Sequence, residues 1–141
     1  MSLRGLEKLA TLFLGNGTVG GVKVLAPESL VELRQPVWRW DPNTENLEDY
    51  DGTLNAYGPG LRTITSETEG DRLFAGDDRS WVGQFGEAYG LLAGVWVHPE
   101  SGDGVIYALT GSAFDPHPEG DDSSTLAPIE ARILEQLGRL L

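Results

Sequence analysis

The chain has 141 residues, of which 40% are apolar and none is cysteine. This length suffices for one hydrophobic core and is too short for two domains of ordinary size. With 22 acidic against 10 basic residues, the formal charge of −12 would repel a phosphate backbone, so we expect no nucleic-acid partner. No apolar run approaches the roughly 18 residues of a membrane span, and the absence of cysteine excludes disulfide and thiolate chemistry.

Two amphipathic helices are predicted near the N-terminus. Apolar side chains recur at helical spacing over residues 3–14, and Gly15-Asn16-Gly17 end this pattern. Pro27 is placed to open a second helix, which should end before Pro36. The predicted buried face of this helix consists of Leu30, Val31 and Leu33.

Met1-Ser2-Leu3 is interpreted as a short leader ahead of a helix that begins inside a domain. We therefore expect the chain to be a fragment of a longer domain.

Strands are predicted over the middle of the chain. Residues 81–111 have the pattern of a strand, a tight glycine turn and a long hairpin, whose two strands at 89–98 and 105–109 should be buried on both sides. A further hairpin turn is predicted at Glu67-Thr68-Glu69-Gly70. In the strand predicted within residues 54–65, Pro59 indicates a kink or an edge position.

A last helix is predicted to begin at Pro128 and to pack one apolar stripe on the sheet. That stripe comprises Ile129, Ile133, Leu134, Leu137 and Leu141. The sequence as a whole therefore predicts a single α+β domain, an antiparallel sheet with flanking helices. Its parts are a helical pair at 3–35, the sheet at 54–111 and a C-terminal helix at 127–141.

Two segments raise the question of a metal site. Residues 41–52 are acidic, but a calcium-binding EF-hand loop needs glycine at its sixth position and glutamate at its twelfth, where this chain has Asn46 and Gly52. A solvated loop is the favoured interpretation. His98 and His117 lie beside prolines in predicted turns and are interpreted as surface residues. We expect no metal and no cofactor.

Gln84-Phe85-Gly86 lies on the predicted strand that precedes the hairpin and the last helix, and Tyr57-Gly58-Pro59-Gly60-Leu61 comes before it. This order resembles the C-terminal active-site edge of the serine β-lactamase-like hydrolases, which include class C β-lactamases, D-alanyl-D-alanine carboxypeptidases and related esterases. In that family the strand ends in Lys/His-Ser/Thr-Gly, so only the glycine is kept here. The resemblance implies a partial β-lactamase/transpeptidase-like fold.

The resemblance also implies where chemistry resides. The chain has no Ser-x-x-Lys and no Tyr-x-Asn, so the nucleophile would lie in a missing N-terminal part and this chain alone should be inactive. The Glu87 backbone amide corresponds to one oxyanion donor. Trp81 and Tyr89 are weaker candidates for contact with substrate, because aromatic side chains at strand spacing are more often core residues.

Several alternatives stay open at this stage. Gln84-Phe85-Gly86 also fits an ordinary strand end, with Phe85 in the core and Gly86 allowing a turn. For an intact parent, the resemblance implies hydrolysis of an ester or amide in a β-lactam or D-Ala-D-Ala-like substrate, although loss of the motif hydroxyl favours a less charged one. The alternative function is a pseudoenzyme or a binding module that presents the acidic segments 41–52 and 115–124.

Partners and location follow from the resemblance alone. In the family, N-terminal strands complete the sheet beside the final strand, so residues 105–109 would form an unpaired edge here, and we expect two copies to pair through it. The family's usual export implies a periplasmic or extracellular location.

Overall fold

The computed structural model describes residues 2–41, 43, 55–67, 70–112 and 126–141. Within them the chain is α+β, with three helices, a six-stranded antiparallel sheet and a separate two-stranded hairpin. The helices are α1 (Leu3–Leu14), α2 (Pro27–Arg34) and α3 (Pro128–Gly138). The strands are β1 (Thr18–Val19), β2 (Val22–Lys23), β3 (Trp38–Arg39), β4 (Ala56–Tyr57), β5 (Arg62–Ile64), β6 (Trp81–Ala88), β7 (Leu91–His98) and β8 (Asp103–Thr110).

The first two helices begin and end at the predicted signals. At the start of α1, the Gly5 amide donates to Ser2 Oγ at 3.3 Å, and at its end Gly15 N–H bonds to Thr11 O. Proline opens α2 at its first turn. The predicted buried face of α2 is wrong in one member, because Leu30 is buried whereas Val31 is 60% exposed.

The six strands of the large sheet follow chain order, β3-β4-β5-β6-β7-β8. Tyr89 and Gly90 alone join β6 to β7, and both have positive φ, 50° and 81°. In a two-residue turn of this kind, the two flanking residues, here Ala88 and Leu91, form a hydrogen-bonded pair. Along the two strands, hydrogen-bonded pairs then alternate with pairs that share no backbone hydrogen bond. The odd-numbered residues of β7 therefore form backbone hydrogen bonds with β6, and the even-numbered ones form them with β8. Their partners in β8 are odd-numbered.

Helices cover both faces of this sheet. On the face we call the α3 face, a buried cluster includes Trp81, Trp96, Tyr107 and Leu134. On the α1 face, Ala10 of α1 packs with Leu61, Val82, Val95 and Val97. Side chains alternate between the faces along each strand, and β7 supplies the buried centre of both clusters.

The strand predictions need three corrections. Pro59 lies in the turn between β4 and β5, where Gly58 N–H bonds to Leu61 O at 2.7 Å, and does not kink a strand. The predicted turn at 67–70 is followed by irregular chain over 70–80, and its residues 68 and 69 lie outside the described part. Only β7 is buried on both sides, since β8 exposes Gly104, Ala108 and Thr110.

The stripe predicted for α3 is also corrected. Leu134 is buried and Leu137 packs against the cluster on the α3 face, but Ile129 is 54% exposed and Leu141 is 48% exposed. Glu130 is buried instead, and it accepts a hydrogen bond from the Tyr107 hydroxyl. This bond satisfies a polar group that burial would otherwise disfavour.

Some expectations fall outside the described residues, among them His117, the acidic segment 115–124 and most of residues 41–52. In the part of the chain that is described, no helix is long and apolar enough to cross a membrane.

Candidate functional site at the end of strand β6

Strand β6 brings together the two sequence signatures of the predicted site. The side chain of Gln84 donates from Nε2 to the Tyr57 hydroxyl, across 27 residues of sequence. Gln84 is half-buried, and its strand neighbour Val82 belongs to the cluster on the α1 face. The first position of the motif and the tyrosine of Tyr57-Gly58-Pro59-Gly60 are therefore direct neighbours.

Beyond Gly83, the only described strand that pairs with β6 is β7. Strand β5 pairs only with Trp81–Gly83, whereas β7 pairs with β6 as far as Ala88. By the alternation described above, Phe85 and Glu87 direct their N–H and C=O groups away from β7. These groups lie past the end of β5, and within the described chain no strand covers them. Within the described chain, the Glu87 amide thus lies at an edge of β6 that no strand covers.

Phe85 packs into the core on the α3 face. Its ring centroid lies 4.5 Å from that of Trp96, in an edge-on arrangement, and it is partly buried against the cluster. Gly86 pairs with Ala93 inside the strand, and the turn is formed three residues later by Tyr89-Gly90. The interpretation that Phe85 is a core residue is therefore confirmed, and the one that Gly86 makes the turn is wrong.

Arg62 is a site neighbour that the sequence analysis did not identify. Its side chain is almost fully buried, 9% exposed, and its guanidinium lies 5.4 Å from the centroid of the Phe85 ring. Burial lowers the pKa of Arg62, although the charge of Asp71 and the Tyr57 hydroxyl oppose this effect. Its Nε has no hydrogen-bond partner within the described residues. Its position one residue after Tyr57-Gly58-Pro59-Gly60-Leu61 was the only signal in the sequence.

The two aromatic candidates for substrate contact lie in opposite environments. Trp81 is fully buried, and its indole Nε1 donates to Asp77 Oδ2 at 2.8 Å, so its side chain belongs to the core. Tyr89 occupies the turn after β6 and is 91% exposed. Tyr89 is therefore accessible near the end of the strand, whereas Trp81 is enclosed in the core.

A polar network that the sequence did not predict lies at the other end of β6, beside Trp81. Arg79 bonds through Nε to Asp77 at 2.8 Å and through a terminal nitrogen to Asp103 at 2.9 Å. Asp103 accepts from the Ser101 hydroxyl at 2.7 Å, and Ser101 Oγ lies 2.8 Å from His98 Nδ1. These contacts fix the β7–β8 turn against the loop at 77–80.

The electrostatics of this network are those of a structural ion pair. Burial alone would raise the pKa of Asp77, but hydrogen bonds from Arg79 and Trp81 together hold it below its usual value. His98 is engaged in its own turn with Ser101. No group of three or more potential metal-ligating side chains occurs among the described residues.

A cavity of about 340 Å³ lies between the C-terminal end of α3 and the loop at 74–79. Its lining includes Phe74, Asp77, Arg79 and Glu135, and it does not include Gln84, Tyr57 or Glu87. It is therefore separate from the site at the end of β6.

Comparisons with protein-family models, with curated proteins and with solved structures gave no match to this chain.

Proposed function

We propose that this chain is the C-terminal part of a serine β-lactamase-like hydrolase and forms one wall of its active site. The observation that carries the proposal is the meeting of Gln84 with Tyr57. These residues stand at the two positions whose sequence patterns resemble that family. In chain order, β6 is followed by the β7–β8 hairpin and then by α3, which packs on the sheet face opposite α1. This order is consistent with the same family.

The open edge of β6 supports a specific role for the backbone. In acyl transfer, an oxyanion develops on the attacked carbonyl, and fixed N–H donors stabilise it. The Glu87 amide, directed away from β7 beyond the end of β5, is available to act as one such donor. A nucleophilic serine and its lysine base would come from an upstream part of the same protein.

The side chains at the motif indicate which substrates fit. A neutral Gln84 amide is able to orient a polar group but carries no positive charge to activate a nucleophile. Phe85 packs in the core and offers no hydroxyl to bind a substrate carboxylate. We therefore propose an ester or amide substrate that lacks a carboxylate at this position, in preference to a penicillin or a D-Ala-D-Ala peptide.

The test is covalent labelling by a fluorophosphonate probe of the parent protein, which contains the upstream sequence, beside the 141-residue chain. We expect label on the parent and none on this chain, because only the parent would contain the nucleophile. A labelled penicillin should react more slowly with the parent than the fluorophosphonate does. Labelling of neither protein would contradict the proposal and favour a pseudoenzyme or a binding module.

A pair of variants in the parent tests the position of the site. Gln84→Ala removes the hydrogen bond to Tyr57, and we expect the rate of labelling to fall by about tenfold, as for loss of one bond to a polar group. The matched control is Gln35→Ala, which removes an exposed glutamine after α2 and should leave the rate unchanged. Equal rates for both variants would place the reactive centre elsewhere.

A further inference from the structure

Strand β8 is the last strand of the six-stranded sheet, and among the described strands it pairs with β7 alone. Its eight residues pair with β7 in continuous register without a bulge. Because the odd-numbered residues bond to β7, the free edge presents the N–H and C=O groups of the even-numbered residues. These are Gly104, Ile106, Ala108 and Thr110.

The residues of β8 itself lack the usual features that prevent strand pairing. Edge strands are normally protected by lysine, proline, a bulge or a short length. Strand β8 contains no proline and no lysine. Its single charged residue, Asp103, already pairs with Arg79 at 2.9 Å. Among the residues that the structure describes, the edge is therefore open to another strand.

We propose that, when the 141-residue chain is by itself, a second copy pairs with β8 in antiparallel register, joining two six-stranded sheets into one. A twofold axis perpendicular to the sheet, passing midway between the two Tyr107 residues, would place Ile106 opposite Ala108, and Gly104 opposite Thr110, in both directions. All outward N–H and C=O groups of both copies would then be bonded. No shifted register pairs all four residues, so the edge is self-complementary in one register.

The surroundings of β8 are compatible with this arrangement. Helix α1 packs on β7 and β8 from one face, so the twofold axis brings two copies of α1 side by side. The exposed charges of α1 are of both signs, Arg4, Glu7 and Lys8. The formal charge of −12 opposes association at longer range. Dimerisation should consequently strengthen as salt screens this repulsion.

The first test is sedimentation equilibrium of the 141-residue chain over a concentration series at low and moderate salt. We expect a monomer–dimer equilibrium that shifts toward the dimer with salt. Ala108→Pro removes one outward N–H in each copy without removing a bond to β7, and should weaken dimerisation by about tenfold or more. Ala108→Val is the matched control, and it should dimerise as the unmodified chain does.

The second test determines the register and guards against misfolding of the proline variant. Ala108→Lys keeps the backbone N–H but adds an edge lysine, and it should also weaken the dimer. Because the chain has no cysteine, a spin label on Thr110→Cys is unique. In the proposed register the two labelled residues lie six positions apart along the strands, about 20 Å. A monomer at every concentration, or a dimer unaffected by both Ala108→Pro and Ala108→Lys, would overturn the proposal. A label separation inconsistent with this register would do so too.

Discussion

At the scale of single residues, Gly94 shows how closely the sheet packs on the α3 face. A Cβ at this position would overlap the ring of Tyr107, which is buried and bonded to Glu130. We expect Gly94→Ala to lower the free energy of unfolding by about 1–3 kcal/mol, the usual cost of overpacking. Urea denaturation followed by tryptophan fluorescence would measure it.

Gly86 provides the matched control for Gly94 in the neighbouring strand. A Cβ there would lie 4.0 Å from its nearest neighbour, Ala93. Gly86→Ala should leave the stability unchanged or raise it by about 0.5 kcal/mol, because alanine reduces the entropy of the unfolded chain. Equal destabilisation by both substitutions would contradict the packing described here.

The bond between Tyr107 and Glu130 predicts a dependence on alkaline pH. Burial raises the pKa of Tyr107, and the hydrogen bond to Glu130 raises it further. Above about pH 10 the unfolded chain releases this proton first, so the free energy of unfolding falls as pH rises. Tyr107→Phe removes both the hydrogen bond and this titration. It should be less stable near neutral pH by about 1–3 kcal/mol.

The stability difference between the unmodified chain and Tyr107→Phe should therefore narrow above about pH 10. Urea denaturation of both proteins from neutral to alkaline pH measures it. Glu130→Gln serves as a comparison, since its amide oxygen is still able to accept from Tyr107. A difference that stays constant with pH would show that Tyr107 ionises as easily in the folded chain as in the unfolded one.

At the scale of secondary structure, the sequence predicts where α3 begins but not which of its side chains face the sheet. Its start at Pro128 and its helical character are local properties and were predicted. Its orientation is not local, because the sheet below it determines which side chains are covered. A prediction from apolar side chains alone places no glutamate on the buried face. Glu130 is nevertheless buried, because the hydroxyl of Tyr107, 23 residues earlier, donates a hydrogen bond to it.

The same reasoning applies to the candidate site. The sequence located Gln84, Phe85 and Gly86 on a strand before a hairpin, and the structure agrees. It did not predict that Tyr57 bonds to Gln84 or that Arg62 lies over Phe85. Both contacts depend on the pairing of β5 with β6, whose register is fixed by packing and by the short β4–β5 turn. Such pairings are not encoded in any single stretch of sequence.

A pair of substitutions in α3 tests its observed orientation. Leu134 is 1% exposed and Ile129 is 54% exposed. Leu134→Ala should lower the free energy of unfolding by about 2–5 kcal/mol through the cavity it leaves. Ile129→Ala should change it by less than about 1 kcal/mol, because much of the removed surface is already in water. Similar losses for both, by urea denaturation, would favour the stripe predicted from sequence.

At the scale of the whole molecule, the excess of acidic residues opposes the compact state. With a formal charge of −12, self-repulsion is stronger in the folded chain than in the expanded unfolded chain. Salt shortens the range of this repulsion, from about 30 Å at 0.01 M to about 8 Å at 0.15 M. Exposed ion pairs such as Arg139–Glu135 contribute little in the opposite direction.

We therefore expect the free energy of unfolding to rise with sodium chloride over this range. The measurement should use Ala108→Pro, so that any dimer does not add its own salt dependence. A second monovalent salt distinguishes screening, which depends on ionic strength alone, from effects of particular ions. A free energy of unfolding that fell with salt would mean that attractive pairs, such as Arg79 with Asp77 and Asp103, outweigh the general repulsion.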